Sequence, residues 1–285
     1  MSAPKKMTYV RLGSSGLKVS KIILGCMSYG DPKWMGTWVL PEEEAEKHIK
    51  AAYDAGINTF DTANVYSNGL SEEILGRAIK KYNLPRDEIV VMTKLFSPVG
   101  KNGEMTFTIP DPDAAGFVNQ HGLSRKHIFD SVKASLKRLG LDYIDLFQCH
   151  RFDPQTPIAE TCEPVVSFLI FCIHSKPVQA MQNYAINNNL TPFISMQNHY
   201  SLLYREEERE MMPTLKNESR TVHQSAANQN IVKRVEELAA KYECSMAQIG
   251  LHGFLNKDPV SAPYRDYVVE ESGGHPGCCK SQLTA

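Results

Sequence analysis

The chain has 285 residues, 42% of them hydrophobic and 22% charged, a size and balance suited to one large globular domain with a sizeable core. A formal net charge of -1 excludes the basic excess that a nucleic-acid partner requires. The longest apolar run, residues 165–173, is too short to span a bilayer, and the opening MSAPKKMTYV lacks the apolar stretch of a secretory leader, so a cytoplasmic protein without membrane attachment is expected.

Residues 9–19 alternate apolar and polar side chains around a turn from Gly13 to Gly16, which is a hairpin pattern. Residues 22–24 read as a buried strand ending at Gly25. A helix follows, opened by Pro41 with Glu42, Glu43 and Glu44 at its positive end and stopped by Gly56. Residues 58–61 form the next strand, and Ser71 is placed to cap a helix burying Ile74, Leu75, Ala78 and Ile79. Residues 89–93 are a third strand. After an irregular stretch (98–123), Ser124 caps a helix that ends before Gly140, and residues 144–149 are a fourth strand. Repeated strand–helix units imply a parallel sheet covered by helices, which is compatible with a barrel or a doubly wound open sheet. The absence of G-x-G-x-x-G after the first strand favours the barrel.

Beyond residue 163 the rhythm weakens. Residues 161–175 are apolar without a helical period. Helices are predicted over 181–189 and 205–216, with a strand over 193–197 between them and a polar coil over 217–228. Ile231, Val235, Leu238 and Tyr242 mark a further amphipathic helix, and Ser245 caps another; past Pro263 no element is predicted. The seven cysteines (Cys26, Cys149, Cys162, Cys172, Cys244, Cys278 and Cys279) have no ligand spacing, so reduced thiols and no metal site are expected.

Four titratable residues stand at strand ends. Asp61 closes the second strand with Tyr66 in the loop behind it, Lys94 closes the third and His150 the fourth. Singly, each has a plain structural use: a carboxylate as a turn cap, a phenol in the core, a solvated amine, a satisfied imidazole. Jointly they lie on the face where a parallel barrel builds its active site. The chemistry they can share is proton delivery to a carbonyl oxygen during hydride transfer. A phenol with a pKa near about 10 is a reluctant acid at neutral pH, and a nearby ammonium lowers that value. Asp61 would hold Lys94 and compensate its charge, while His150 would polarise the carbonyl.

The stretch FDTANVYSNGLSEE (60–73), followed by LGRA (75–78), resembles the aldo-keto reductase signature, and VVMTK (90–94) and YIDLFQCH (143–150) are similar to the family's next two motifs. The branch resembled is the fungal aryl-alcohol-dehydrogenase-like one, related to the potassium-channel β subunits. The resemblance implies a single domain over 1–285, a (β/α)8 TIM barrel with an N-terminal hairpin closing its bottom. It implies Tyr66 as general acid supported by Asp61, Lys94 and His150, and NADP as cofactor. Gly25, Cys26 and Met27 match a loop touching the nicotinamide half, where Asp61 also lies, and Gln197 matches a residue that hydrogen-bonds the carboxamide. The partner implied is a small-molecule carbonyl substrate, an aldehyde or ketone, aromatic ones included; no signature of oligomeric state is present.

The family pattern breaks at 163–178, 217–228 and 264–285, where the barrel is expected to be incomplete. The segments missing are strand 5, a strand-7 aromatic with the pyrophosphate loop, and the turn that grips the adenosine phosphate. Two readings follow, a working NADP-dependent carbonyl reductase and a non-catalytic truncated or regulatory relative. An unrelated barrel enzyme using Lys94, such as an isomerase or aldolase, is a distant third.

Overall fold

Seven short strands join into one parallel sheet in the computed structural model, which describes residues 7–13, 15–101, 105–163, 168–170, 175–200, 204–212, 237–242, 245, 248 and 264–265. With an antiparallel hairpin of Tyr9–Arg11 (β1) and Lys18–Ser20 (β2) preceding them, the sheet strands are Ile23–Gly25 (β3), Thr59–Asp61 (β4), Val90–Leu95 (β5), Leu146–Cys149 (β6), Phe168–Ile170 (β7), Ser195–Met196 (β8) and Tyr264–Arg265 (β9). Their order across the sheet is β8-β7-β6-β5-β4-β3-β9.

This order decides between the two α/β architectures. A doubly wound sheet reverses its strand order at a switch point. Here β3 to β8 are laid down strictly side by side, and the last strand, β9, lies on the far side of the first, as barrel closure requires. The fold is therefore of the (β/α)8 class. Among the described residues β8 and β9 do not pair with each other, so the described strands do not close the barrel.

No strand is predicted within 163–178, yet β7 lies there, bonded to Phe147–Cys149 on one side and Ser195–Met196 on the other. Three residues inside a longer apolar run carry no alternation that would mark them as a strand. β9 is likewise unpredicted; two residues carry too little pattern to be read.

Helices cover the sheet: Pro32–Met35 (α1), Glu42–Asp54 (α2), Leu70–Lys81 (α3), Arg125–Leu139 (α4), Ile158–Cys162 (α5) and Ser175–Asn187 (α6). Ala45, Ile49, Ile74, Leu75 and Ala78 from α2 and α3 pack against Phe60 and Val91 of the strands. The predicted Ser124 cap accepts a hydrogen bond from the His127 N–H, and Gly140 ends α4 at φ 64. Ser71 does not cap. α3 starts at Leu70, and the Ser71 hydroxyl instead donates to the Cys26 carbonyl at 2.7 Å and lies 2.9 Å from the Thr62 hydroxyl. Ser245 and Gln248 exchange backbone–side-chain hydrogen bonds in a reciprocal cap. Of the helix predicted over 205–216, Glu206–Glu208 form a 3-10 turn. Residues 217–228, Ile231 and Val235 lie outside the described residues.

The hairpin plugs one end of the sheet. Leu12 and Val19 bury with Val90, Met92 and Leu146, of which Val90 and Leu146 begin their strands. At the turn, Gly13 lies so close to the next layer that a Cβ would stand 1.9 Å from the Ile194 carbonyl oxygen. With the N-terminal face closed, the strand C-termini form the open face.

Candidate active site

β3 to β6 run parallel, so their C-terminal ends lie side by side and bring together residues remote in sequence. Asp61 ends β4 and Lys94 is the penultimate residue of β5; each is 1% exposed. The Lys94 ammonium donates to Asp61 Oδ2, to the Thr62 carbonyl at 2.9 Å and to the Tyr66 hydroxyl at 3.4 Å. Tyr66 opens a 3-10 turn, Tyr66–Gly69, and its ring is buried. The His150 ring stands edge-on to it, centroids 5.8 Å apart and planes at 82°. His150 follows β6 directly, and its N–H donates to the Leu95 carbonyl at 2.8 Å. The four residues singled out from sequence thus form one contiguous cluster.

Gln148 was not singled out. Register pairs it with Lys94 across β5 and β6, and its Nε2 donates to Asp61 Oδ1 at 2.6 Å. Asp61 therefore divides its oxygens, Oδ2 to Lys94 and Oδ1 to Gln148, with the Gln197 amide hydrogen-bonded to it as well. The signal was available in the strand period: Gln148 precedes His150 by two and so shares its face. Burial pushes the Asp61 carboxyl above the ordinary aspartate range, and the Lys94 charge and these hydrogen bonds pull against it. A buried carboxylate facing an ammonium and two amides is a held charge, not a solvated one.

His150 sits under the opposite influence. Burial, then the Lys94 charge, then Arg151 hold its pKa well below the usual histidine range, so the ring is neutral at neutral pH. A neutral imidazole offers one N–H as a donor without adding positive charge beside Lys94. Because the folded-state value is depressed, the stability contributed by neutral His150 is complete above about pH 6.5 and falls as the pH drops below it. His127, whose pKa burial also lowers against a hydrogen bond with the Gly122 carbonyl, acts in the same window. Replacing His150 by Asn is expected to flatten the loss of thermal stability between about pH 6.5 and pH 5. An unaltered pH dependence of the melting temperature would refute this assignment.

The loop after β3 behaves unevenly. Gly25 pairs with Asp61 in register. The Cys26 N–H donates to the Asp61 carbonyl, its carbonyl accepts from Ser71, and its side chain belongs to the core under α2 and α3. Cys26 is thus committed to the scaffold. Met27 packs against the cluster of Trp34, Val39, Ala63, Val65 and Tyr66, on the site side. Trp34 is buried, 6.3 Å from the Tyr66 ring and 5.5 Å from Phe107, with its indole N–H lacking a partner among the described residues.

Just past β8, the buried oxygens Gln197 Oε1 and Asn198 Oδ1 have no hydrogen-bond partner among the described residues, nor does the Ser195 hydroxyl on β8. Unsatisfied buried acceptors are costly unless a ligand supplies donors. A planar carboxamide offers two N–H donors, which suits these groups. Among the described residues no helix is long and apolar enough to cross a membrane.

Comparison with known proteins agrees with this geometry. The Aldo/keto reductase family model matches residues 21–224. A putative aryl-alcohol dehydrogenase of Schizosaccharomyces pombe is 42% identical over 306 residues, covering 90% of this chain and 87% of its own. A versiconal hemiacetal acetate reductase of Aspergillus parasiticus is 40% identical over 295 residues, covering 86% and 84%. A putative aryl-alcohol dehydrogenase of Saccharomyces cerevisiae is 42% identical over 220 residues, covering 73% and 64%. The first alignment is longer than the 285 residues of this chain, so that relative carries internal stretches that are skipped here.

Proposed function

The chain belongs to the aldo/keto reductase family and is by that membership an oxidoreductase, and we propose that it reduces a small aldehyde or ketone to the alcohol with NADP as cofactor and Tyr66 as general acid. The single observation that carries this reading is the contact of the Lys94 ammonium with the Tyr66 hydroxyl, backed by the buried Asp61. An ammonium at that distance stabilises the negative charge that grows on the phenol oxygen as its proton leaves.

The nicotinamide cofactor, when bound, supplies the hydride. Gln197 and Asn198 would hold its carboxamide, and Met27 would lie against the same half. The remaining work falls to the chain's own groups. His150, neutral, donates to the substrate carbonyl and turns its oxygen toward Tyr66. Tyr66 gives its proton to that oxygen. Asp61 and Gln148 keep Lys94 aimed at the phenol. Trp34 and Phe107 form an aromatic wall beside Tyr66, which favours aryl-bearing substrates; the named functions of the aryl-alcohol dehydrogenase relatives support the same class. The cluster uses no membrane or nucleic-acid partner, and the cytoplasm is the compartment we assign.

A second reading, a relative that keeps the acid but no longer grips the donor, is favoured by the internal stretches skipped here. Titration with NADPH, followed by nicotinamide fluorescence, separates the two. Saturable binding at micromolar NADPH, on the order of the usual enzyme range, is expected. No saturable binding would overturn the catalytic reading and leave the family membership untouched.

A further inference from the structure

The chain leaves Tyr66 through three consecutive left-handed residues: Ser67 at φ 47, Asn68 at φ 53 and Gly69 at φ 94. Only the third is a glycine. Side chains seldom adopt this conformation, and consecutive examples persist only where surrounding contacts impose them. The contacts are on either side. The buried Ser67 hydroxyl accepts a hydrogen bond from the Asp31 N–H at 3.2 Å, in the loop after β3. Opposite it, a Cβ on Gly30 would lie 1.9 Å from Ser67 Oγ, so the Gly30 backbone is pressed against the Ser67 side chain. Asn68 Oδ1 accepts from the Gly100 N–H at 3.1 Å, in the loop after β5, while its own N–H donates to the Val65 carbonyl at 3.0 Å. At Gly69 a Cβ would meet Arg138 Cδ at 2.5 Å, which closes the third side.

We propose that Ser67 and Asn68 are positioning residues for Tyr66: their left-handed turn, tied to the β3 loop by one side chain and to the β5 loop by the other, fixes the phenol oxygen over Lys94. The proposal rests on the reading of Tyr66 as the acid. Its physical content is a short tolerance. The Lys94–Tyr66 contact, at 3.4 Å, is already near the outer limit of a hydrogen bond, so a small outward shift of the turn removes it. Displacements of about 1 Å at reacting groups cost roughly 100-fold in rate. Asn tolerates left-handed φ better than Ala does, and it also supplies the acceptor for Gly100; one residue type meets both needs.

The test compares wild type with S67A, N68A, N68D and Y66F in the full chain. Benzaldehyde reduction gives kcat and KM, nicotinamide fluorescence gives NADPH affinity, and kcat is followed against pH. N68A and S67A are expected to lower kcat about 10- to 100-fold, with NADPH affinity within about threefold of wild type. The pH at which kcat falls on the alkaline side should rise in both, because Lys94 then stabilises the phenolate less. N68D keeps an acceptor for Gly100 and should recover most of kcat. The proposal is overturned if Y66F loses turnover while N68A and S67A keep it. It is equally overturned if N68A loses kcat and NADPH affinity together and N68D restores neither, which is general damage. If Y66F turns over normally, the acid reading itself fails and this inference falls with it.

Discussion

Replacing Tyr66 by Phe is expected to lower kcat for aldehyde reduction by about 100- to 10,000-fold, the usual contribution of a positioned general acid. The change deletes one oxygen. The ring stays edge-on to His150 and beside Trp34, so packing around the site is preserved. NADPH affinity should therefore stay near that of wild type, and the loss should appear in kcat and kcat/KM alike, as for an interaction made only in the transition state. Turnover within about tenfold of wild type would show that the proton comes from elsewhere, since that is below the usual range for such a group.

Replacing Lys94 by Met should do more, because it damages stability as well as chemistry. Lys94 and Asp61 are each 1% exposed, and removing one partner of a buried pair costs about 3–5 kcal/mol. The loss at neutral pH comes from a carboxylate that burial already disfavours and that now lacks its ammonium. The pH dependence has a definite sign. With the folded-state value of Asp61 raised further, the variant recovers stability as the pH falls through that value, because the protonated carboxyl tolerates burial. Urea midpoints at pH 7 and pH 5 should thus converge on wild type at the lower pH. The double variant Lys94→Met, Asp61→Asn should be more stable at pH 7 than Lys94→Met alone, a coupling read from the double-mutant cycle. Equal midpoints for single variant and wild type at pH 7 would refute the paired-charge account.

Much of the site was legible because catalytic groups on a parallel sheet gather at strand ends, and strand ends can be found. Asp61, Lys94 and His150 each close an apolar run, and Tyr66 follows one at loop distance. Three features were not legible. Gln148 lies inside an apolar run, where a polar residue reads as an isolated exception until the period-two face is compared with His150. β7 is three residues within a longer apolar run, which has no period to detect. Ser67, Asn68 and Gly69 announce a turn by composition, but not that two side chains would hold it from neighbouring loops. Cys26, in the loop where the resemblance implies a cofactor contact, has its backbone N–H and carbonyl bound into the scaffold.

The division of Asp61 between Lys94 and Gln148 has a consequence for assembly. The three side chains come from β4, β5 and β6, and each reaches the others only in one alignment. Sliding β6 by a single residue would turn Gln148 to the opposite face and bring Phe147 or Cys149 toward the carboxylate, leaving a buried oxygen without its donor. Apolar neighbours alone would tolerate such a shift, since the strand offers a hydrophobic residue at almost every step. The charged centre does not. It penalises misaligned versions of the sheet that oily contacts would accept, so the residues assigned to chemistry also proofread the fold they sit in.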